Sequence, residues 1–220
     1  VKTSMIEWWG PIVLEFYAGS EGVGTTFITA QEWLERPGSV GRSVDGEIHV
    51  LDEHGNDLPA GEIGAVYFAD APKFSYFNAP EKTGQALTKK GWGTLGDIGY
   101  LDHEGYLYLT DRKANMIISG GVNIYPQEAE NILLSHPAVL DAAVFGIPDE
   151  EFGESVKAVV ELAPGYAPSE ETAAELIARC REKIAKIKCP KSIDFEDGLP
   201  RLPNGKLYKR ELKARYWPTS

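Results

Sequence analysis

Only two cysteines, Cys180 and Cys189, occur in the 220 residues. So few exclude a disulfide framework and fit a reducing compartment, which makes the cytoplasm the expected location. Long apolar runs are missing as well. No stretch approaches the roughly 20 residues that a membrane helix needs, so no transmembrane segment is expected. The opening residues, with Trp8-Trp9-Gly10-Pro11, do not read as a secretory signal. Histidine is sparse: no pair among His49, His54, His103 and His136 has ligand spacing, which excludes a zinc site. The 23 Gly and 14 Pro follow no period, so collagen-like and low-complexity readings fail. Basic residues are outnumbered, 22 Lys+Arg against 33 Asp+Glu, giving a net charge of −11. That balance argues against a nucleic-acid partner.

What remains is a chain that is 43% apolar, long enough for one or two domains with a real core. Its charge is uneven. Residues 1–111 carry 7 Lys+Arg against 17 Asp+Glu, a net −10, while residues 112–220 carry 15 against 16, a net −1. Within the second part, residues 179–215 hold 12 against 5, a net +7. Such a stretch on an acidic protein suits either a solvated helix face or the handling of anions.

The pattern also changes near Asp111. Before it, Ile12 to Tyr17 reads as a strand, and Glu47 to Leu51 with Ile63 to Phe68 reads as a strand pair. Tyr100 to Leu109 forms a hairpin, and Pro80 to Leu87 is a short helix opened by proline. After it, Pro126 to Ser135 has helical spacing, Val139 to Phe145 and Val156 to Leu162 are strands, and Ser169 caps another helix. Leu176, Ile177, Cys180, Ile184 and Ile187 continue that spacing, Ile193 to Phe195 is a strand, and Arg210 to Arg215 a last helix. The predicted class is α+β: a small β-barrel or curled-sheet subdomain followed by a small mixed α/β domain. Three parts are expected: 1–30, a strand and loop belonging to a larger domain; 31–111, the β subdomain; and 112–220, the α/β domain.

Three loops carry candidate chemistry. Tyr17-Ala18-Gly19-Ser20-Glu21-Gly22 sets a hydroxyl and a carboxylate among glycines, which suits either a plain turn or a phosphate with its Mg²⁺. No Lys follows it, so it is not a Walker loop. Asp97, in Trp92-Gly93-Thr94-Leu95-Gly96-Asp97, can accept two hydroxyl protons, and Arg112 can donate to the same sugar. The alternative is a turn cap and a surface ion pair. Pro200-Arg201-Leu202-Pro203-Asn204-Gly205-Lys206 stiffens a turn that presents Lys206, either as an ordinary surface lysine or as a point charge for a phosphate. Cys180 and Cys189 read as structural.

Taken in this order, the three loops resemble those of the adenylate-forming superfamily, which includes acyl-CoA synthetases, peptide-synthetase adenylation domains and beetle luciferases. Tyr17 to Glu21 matches its Tyr-Gly-x-Thr-Glu loop, and Gly91-Trp92 to Gly96-Asp97 its Gly-Trp-x-x-Thr-Gly-Asp segment. Asp111-Arg112-Lys113, Gly120-Gly121, Tyr125-Pro126, Glu128 and Glu130 match its hinge and following Gly loop. Pro200 to Lys206 matches its catalytic-lysine loop, and Ile118 to Pro126 looks most like fatty-acyl and related acyl-CoA ligases. The resemblance spans the chain but only the later part of the family's architecture.

The resemblance implies a ligase that activates a fatty or related carboxylic acid with ATP and passes it to coenzyme A, releasing AMP and pyrophosphate. Carried over by motif, Tyr17 stacks on adenine, Gly19 belongs to the nucleotide loop, Ser20 meets the α-phosphate and Glu21 holds Mg²⁺. Asp97 and Arg112 take ribose hydroxyls. Lys206 bridges the carboxylate and α-phosphate, and Gly120 and Gly121 line the coenzyme A tunnel after the C-terminal domain rotates about the hinge. The sequence departs from the pattern at Ala18, Ser20, Leu95 and Ala114-Asn115; Ser20 keeps the hydroxyl, and the last pair removes a charged hinge residue. The family's earlier phosphate loop with its Lys, and two N-terminal subdomains, have no counterpart here. The expectation is therefore part of a ligase, inactive alone, which needs the N-terminal part as partner. The alternatives are an adenylation domain that loads a carrier protein, or a non-catalytic binding module. Oligomeric state stays open.

Overall fold

The computed structural model describes residues 1–70, 72 and 74–217. The chain divides into two compact units, Val1–Ala114 and Asn115–Ser220. The division falls after the change in sequence pattern at Asp111, because the strand there runs on through Arg112 and a 3₁₀ turn at Lys113–Asn115 follows.

Among the described residues the first unit is one sheet with three short helices. Its elements are α1 (Lys2–Trp9), β1 (Leu14–Ala18), β2 (Thr25–Thr29), α2 (Ala30–Glu35), β3 (Ser39–Ser43), β4 (Ile48–Leu51), β5 (Gly64–Phe68), α3 (Pro80–Gln85), β6 (Asp97–Leu101) and β7 (Leu107–Arg112). The strand order is β1-β2-β3-β7-β6-β5-β4, with antiparallel neighbours. The sheet is open, with β1 and β4 as its edges, so the curled sheet is realised and the barrel is not. Residues 1–30 pair into this sheet through β1 and β2 and do not stand apart from residues 31–111. Val23, Ile48, Val66, Phe68 and Leu107 form the core. Alternation explains it: β5 buries Gly64, Val66 and Phe68 and turns Ala65 and Tyr67 the other way.

The second unit contains β8 (Ile117–Ser119), β9 (Val122–Ile124), α4 (Pro126–Leu134), β10 (Val139–Asp149), β11 (Gly153–Leu162), α5 (Glu170–Lys183), β12 (Ser192–Phe195) and α6 (Lys209–Tyr216). β10 and β11 form a long antiparallel hairpin, β11 also meets β8, and β12 joins β11 in parallel. Helices cover both faces of this sheet, which is why its central strands read as unbroken apolar runs. Ala142 and Val144 of β10 face α4 and α5, packing with Leu133, Leu176 and Cys180. Ala143 and Phe145 face the other side, with Leu199 and Leu212 of the α6 region. Ser169 caps α5 as expected, its hydroxyl accepting from Thr172 N at 3.0 Å. The helix stops at Lys183, however. Ile184 is extended and Ile187 is partly exposed on a separate 3₁₀ turn, so the helical spacing of Ile184 and Ile187 is not used.

Candidate functional site

In the first unit, Asp97 and Arg112 line one cavity of about 500 Å³, and Tyr17 and Glu21 are joined to its wall through hydrogen bonds with Asp97 and Tyr76. Asp97 opens β6, Arg112 ends β7, and the two are directly paired in the sheet. Arg112 Nε lies 3.4 Å from Asp97 Oδ1. The Tyr17 phenol, at the end of β1, donates to the other oxygen, Oδ2. The side chain of Asp97 is only 9% exposed, so these two partners fix its carboxylate in place. Burial, and then Asp97, push the Tyr17 phenol well above its usual range, which keeps it protonated and donating. One face of the Tyr17 ring stacks on Phe68, with centroids 6.3 Å apart.

The loop after β1 places Ser20 and Glu21 in solvent reach. Ser20 Oγ donates to Glu21 Oε2 at 3.2 Å, and the Tyr76 hydroxyl donates to Oε1 at 2.8 Å. The Tyr76 contact is the main cause that holds the Glu21 carboxyl below the ordinary range. Tyr76 is positioned by α3, whose Thr83 Oγ1 accepts from Tyr76 N at 2.9 Å. Lys82 of the same helix lies 3.8 Å from the Tyr76 ring centroid. Tyr76 and Lys82 also line the cavity, and sequence reasoning missed both. The aromatic run Phe74-Ser75-Tyr76-Phe77 just before the proline-opened helix was the available signal.

Gly19 lies close against the Leu95 side chain. A Cβ there would sit 2.3 Å from Leu95 Cδ2, so the leucine that departs from the family's threonine packs directly on this loop. Thr94 does conventional work beside it, donating to Val66 O at 2.6 Å and accepting from Gly96 N at 3.0 Å.

Glu21 suits a divalent cation in one respect. Both of its neighbours are neutral donors, so the carboxylate stays ionised with lone pairs to spare. Among the described residues no group of three or more His, Cys, Asp or Glu gathers, so Glu21 has no such set of protein ligands around it. That fits Mg²⁺ held jointly with nucleotide phosphates and water, and does not fit an all-protein metal cage.

The second unit holds Gly120, Gly121 and Lys206. The two glycines form the turn between β8 and β9, with φ of 56° and 79°. Positive φ at both central positions is the geometry of a tight primed turn. Gly120 N donates to Phe152 O at 2.9 Å. Beside this turn lies a cavity of about 440 Å³ lined by Phe152, Arg181, Lys186, Ile187, Cys189 and Lys191. Part of the +7 stretch thus serves a concave surface. Cys180 and Cys189 are buried free thiols, as the structural reading expected, and burial pushes Cys180 up to about 11.

Lys206 lies on an exposed hairpin. Arg201 and Leu207 bridge, Leu202 N donates to Lys206 O at 2.8 Å, and Gly205 N donates to Leu202 O at 2.8 Å. Among the described residues the Lys206 ammonium meets no hydrogen-bond or ion-pair partner.

Comparisons with known proteins agree with the motif order. Residues 128–206 match the family described as AMP-binding enzyme C-terminal domain. The fatty acid–[acyl-carrier-protein] ligase ScoC of Streptomyces coeruleorubidus is 41% identical over 172 residues, covering 78% of this chain and 32% of that protein. The long-chain-fatty-acid–CoA ligase FadD13 of Mycobacterium tuberculosis is 38% identical over 215 residues, covering 94% of this chain and 41% of that protein. The crystal structure of ATP-bound MatB from Rhodopseudomonas palustris superposes with a TM-score of 0.83 at 33% identity, covering 98% of this chain and 43% of that one. The chain therefore spans well under half the length of the proteins it matches.

Proposed function

The chain belongs to the adenylate-forming superfamily, matching its C-terminal region, and on that premise we propose that it is the nucleotide-finishing and lysine-bearing part of an AMP-forming acid–thiol ligase. The observation that carries this reading is the buried Asp97 carboxylate, held by Arg112 and Tyr17 on the wall of a cavity of about 500 Å³. A fixed acceptor beside a guanidinium is what two vicinal ribose hydroxyls require. ATP-bound MatB supports a nucleotide as the ligand.

In the proposed reaction a carboxylate oxygen attacks the α-phosphorus of ATP and pyrophosphate leaves. A thiol then attacks the acyl carbon and AMP leaves. Tyr17 stacks on adenine, and Asp97 and Arg112 orient the ribose. Ser20 donates to the α-phosphate. Glu21 holds the nucleotide's Mg²⁺, which when bound offsets phosphate charge. Lys206 brings a positive charge to the point where carboxylate and phosphate approach, and such a charge acts most strongly where water is excluded. The C-terminal domain then rotates, withdrawing Lys206 and bringing Gly120 and Gly121 to the thiol.

Coenzyme A is the acceptor best matched to the second unit. The cavity beside Gly120 sets Arg181, Lys186 and Lys191 against an apolar floor, a lining suited to a phosphate-bearing nucleotide. FadD13 supports that choice and a fatty-acyl substrate. The similarity to ScoC, a fatty acid–[acyl-carrier-protein] ligase, favours a second reading, in which an acyl carrier protein takes the acyl group. We place the reaction in the cytoplasm and expect the 220-residue chain alone to be inactive, with the remaining length of its relatives needed as partner.

The test uses a ligase whose C-terminal part is this chain. Lys206→Ala should reduce adenylate formation, read as ATP–pyrophosphate exchange, by about 100-fold or more. Thioester formation from supplied acyl-adenylate should survive. Equal loss of both half-reactions would sink the reading, and comparing coenzyme A with carrier protein in the second step separates the two acceptors.

A further inference from the structure

Lys206 is exposed, yet the hairpin that carries it is tied down on both sides, to β10 through Arg201 and to α4 through Lys209. On its N-terminal side, Arg201 splits its guanidinium between two partners. Nη1 donates to the Gly205 carbonyl at 2.7 Å, and Nη2 pairs with Asp141 Oδ2. Gly205 is the residue immediately before Lys206. One planar group therefore connects the tip of the hairpin to the sheet, a geometry that a guanidinium forms readily and an ammonium does not.

Asp141 is aimed at Arg201 by an irregularity in β10. Val139 pairs with Leu162, but Asp141 pairs with Glu161, so Leu140 is an extra residue in the ladder. A bulge of this kind turns the following side chain off the regular alternation. Leu140 itself is left 57% exposed. The carboxylate is further fixed by Ala142 N, which donates to Asp141 Oδ1 at 2.9 Å.

On the C-terminal side of the hairpin, Lys209 Nζ lies 2.6 Å from Glu130 Oε1, and that oxygen also accepts from Val144 N of β10 at 2.7 Å. Glu130 is buried, so this pair holds the first turn of α6 firmly. Its partner contact, through exposed Arg201, fixes orientation more than stability. The Lys209 pair anchors the base of the hairpin, and the Arg201 fork sets the direction of its tip.

We propose that Arg201, seated on the bulge-aimed Asp141, is a positioning residue for Lys206. It holds the Gly205 carbonyl and thereby the direction in which the lysine backbone leaves the turn. This rests on the adenylation role given to Lys206 above. Arg201 itself touches no reacting atom.

Two measurements test it. In the 220-residue chain, amide hydrogen exchange is followed at Leu202 and Gly205, both hydrogen-bonded within the hairpin. Arg201→Gln and Asp141→Asn should each speed exchange there by about tenfold or more, while amides of β10 and β11 keep their rates. Arg201→Lys, which reaches one partner but not both, should fall between. In a ligase containing this chain, Arg201→Gln should lower kcat for adenylate formation by about 10- to 100-fold with the KM for ATP unchanged. Thioester formation from supplied acyl-adenylate should be untouched, and the double variant with Lys206→Ala should be no worse than Lys206→Ala alone. Unchanged exchange at Leu202 and Gly205, or equal losses in the two half-reactions, overturns the proposal. If Lys206→Ala leaves adenylation intact, the role of Lys206 itself falls. If Lys206→Ala abolishes adenylation and Arg201→Gln does not slow it, only the positioning role falls.

Discussion

Glu32 shows how much a single side chain can organise in this protein. Its Oε2 accepts from Thr29 N at 2.9 Å and from Thr29 Oγ1 at 2.7 Å, closing a capping box at the start of α2, while its Oε1 accepts from the Tyr106 hydroxyl at 2.9 Å. The Thr29 backbone bond, then the two hydroxyls, hold the Glu32 carboxyl down at about 2. A folded-state value below the unfolded one stabilises the fold above the ordinary carboxylate range, near pH 4.3, and that contribution is lost as pH falls toward 2. Glu32→Gln should therefore cost roughly 1 kcal/mol at pH 7. The gap between variant and parent should close between about pH 4.5 and pH 2. Urea midpoints read by tryptophan fluorescence at a series of pH values check this, and a gap that is constant with pH refutes it. Glu21 differs in kind. Its carboxyl is also held down, but on an exposed loop where the charge is available to a cation.

Among the elements, the β8–β9 hairpin is the one whose geometry depends most directly on residue type. Gly120 and Gly121 both need positive φ, so alanine at either should cost about 1–2 kcal/mol. The two positions differ in surroundings. A Cβ at Gly121 meets nothing within 4 Å, whereas one at Gly120 would lie 2.9 Å from Phe152 Cδ1. Gly120→Ala should thus be the more destabilising, and Phe152→Leu should recover part of the difference in a double variant, measured by urea denaturation. Equal costs with no coupling to Phe152 would contradict this packing. The Gly120-Gly121 loop was placed by its resemblance to the family's Gly loop, but the strands on either side were not read, because each is three residues long and interrupted by Ser119 or Asn123. α4 was legible in the helical spacing of Pro126 to Ser135, and Ala129, Ile132 and Leu133 lie on its buried face. β2 and α2 were not read. Thr25 to Thr29 follow a glycine-rich loop directly and run without a turn into the helix, so no punctuation marks either element. Asp97 and Arg112 were named from the sequence and Tyr76 and Lys82 were not, because only tertiary folding brings α3 to the loop after β1. The basic cavity was equally hidden, since Phe152 comes from a hairpin end and Arg181 from a helix.

At the scale of the whole molecule, each unit carries its own core: Val66, Phe68 and Leu107 in the first, and Val144, Leu176 and Cys180 among others in the second. The distribution of natural probes makes this testable without labels. Four of the five tryptophans, Trp8, Trp9, Trp33 and Trp92, lie in the first unit, and both cysteines lie buried in the second. Tryptophan fluorescence therefore reports mainly on residues 1–114, and reaction of the thiols with an added disulfide reagent reports on residues 115–220. Leu176 is fully buried on α5, so Leu176→Ala should cost the second unit about 2–5 kcal/mol through the cavity it leaves. Thiol exposure should then shift to lower urea by an amount set by that loss, while most of the fluorescence transition stays where it was. A common shift of both probes would mean that the 220 residues unfold as one cooperative body. A selective shift would mean that the C-terminal unit, with Gly120, Gly121 and Lys206, keeps its fold independently of the first unit's sheet.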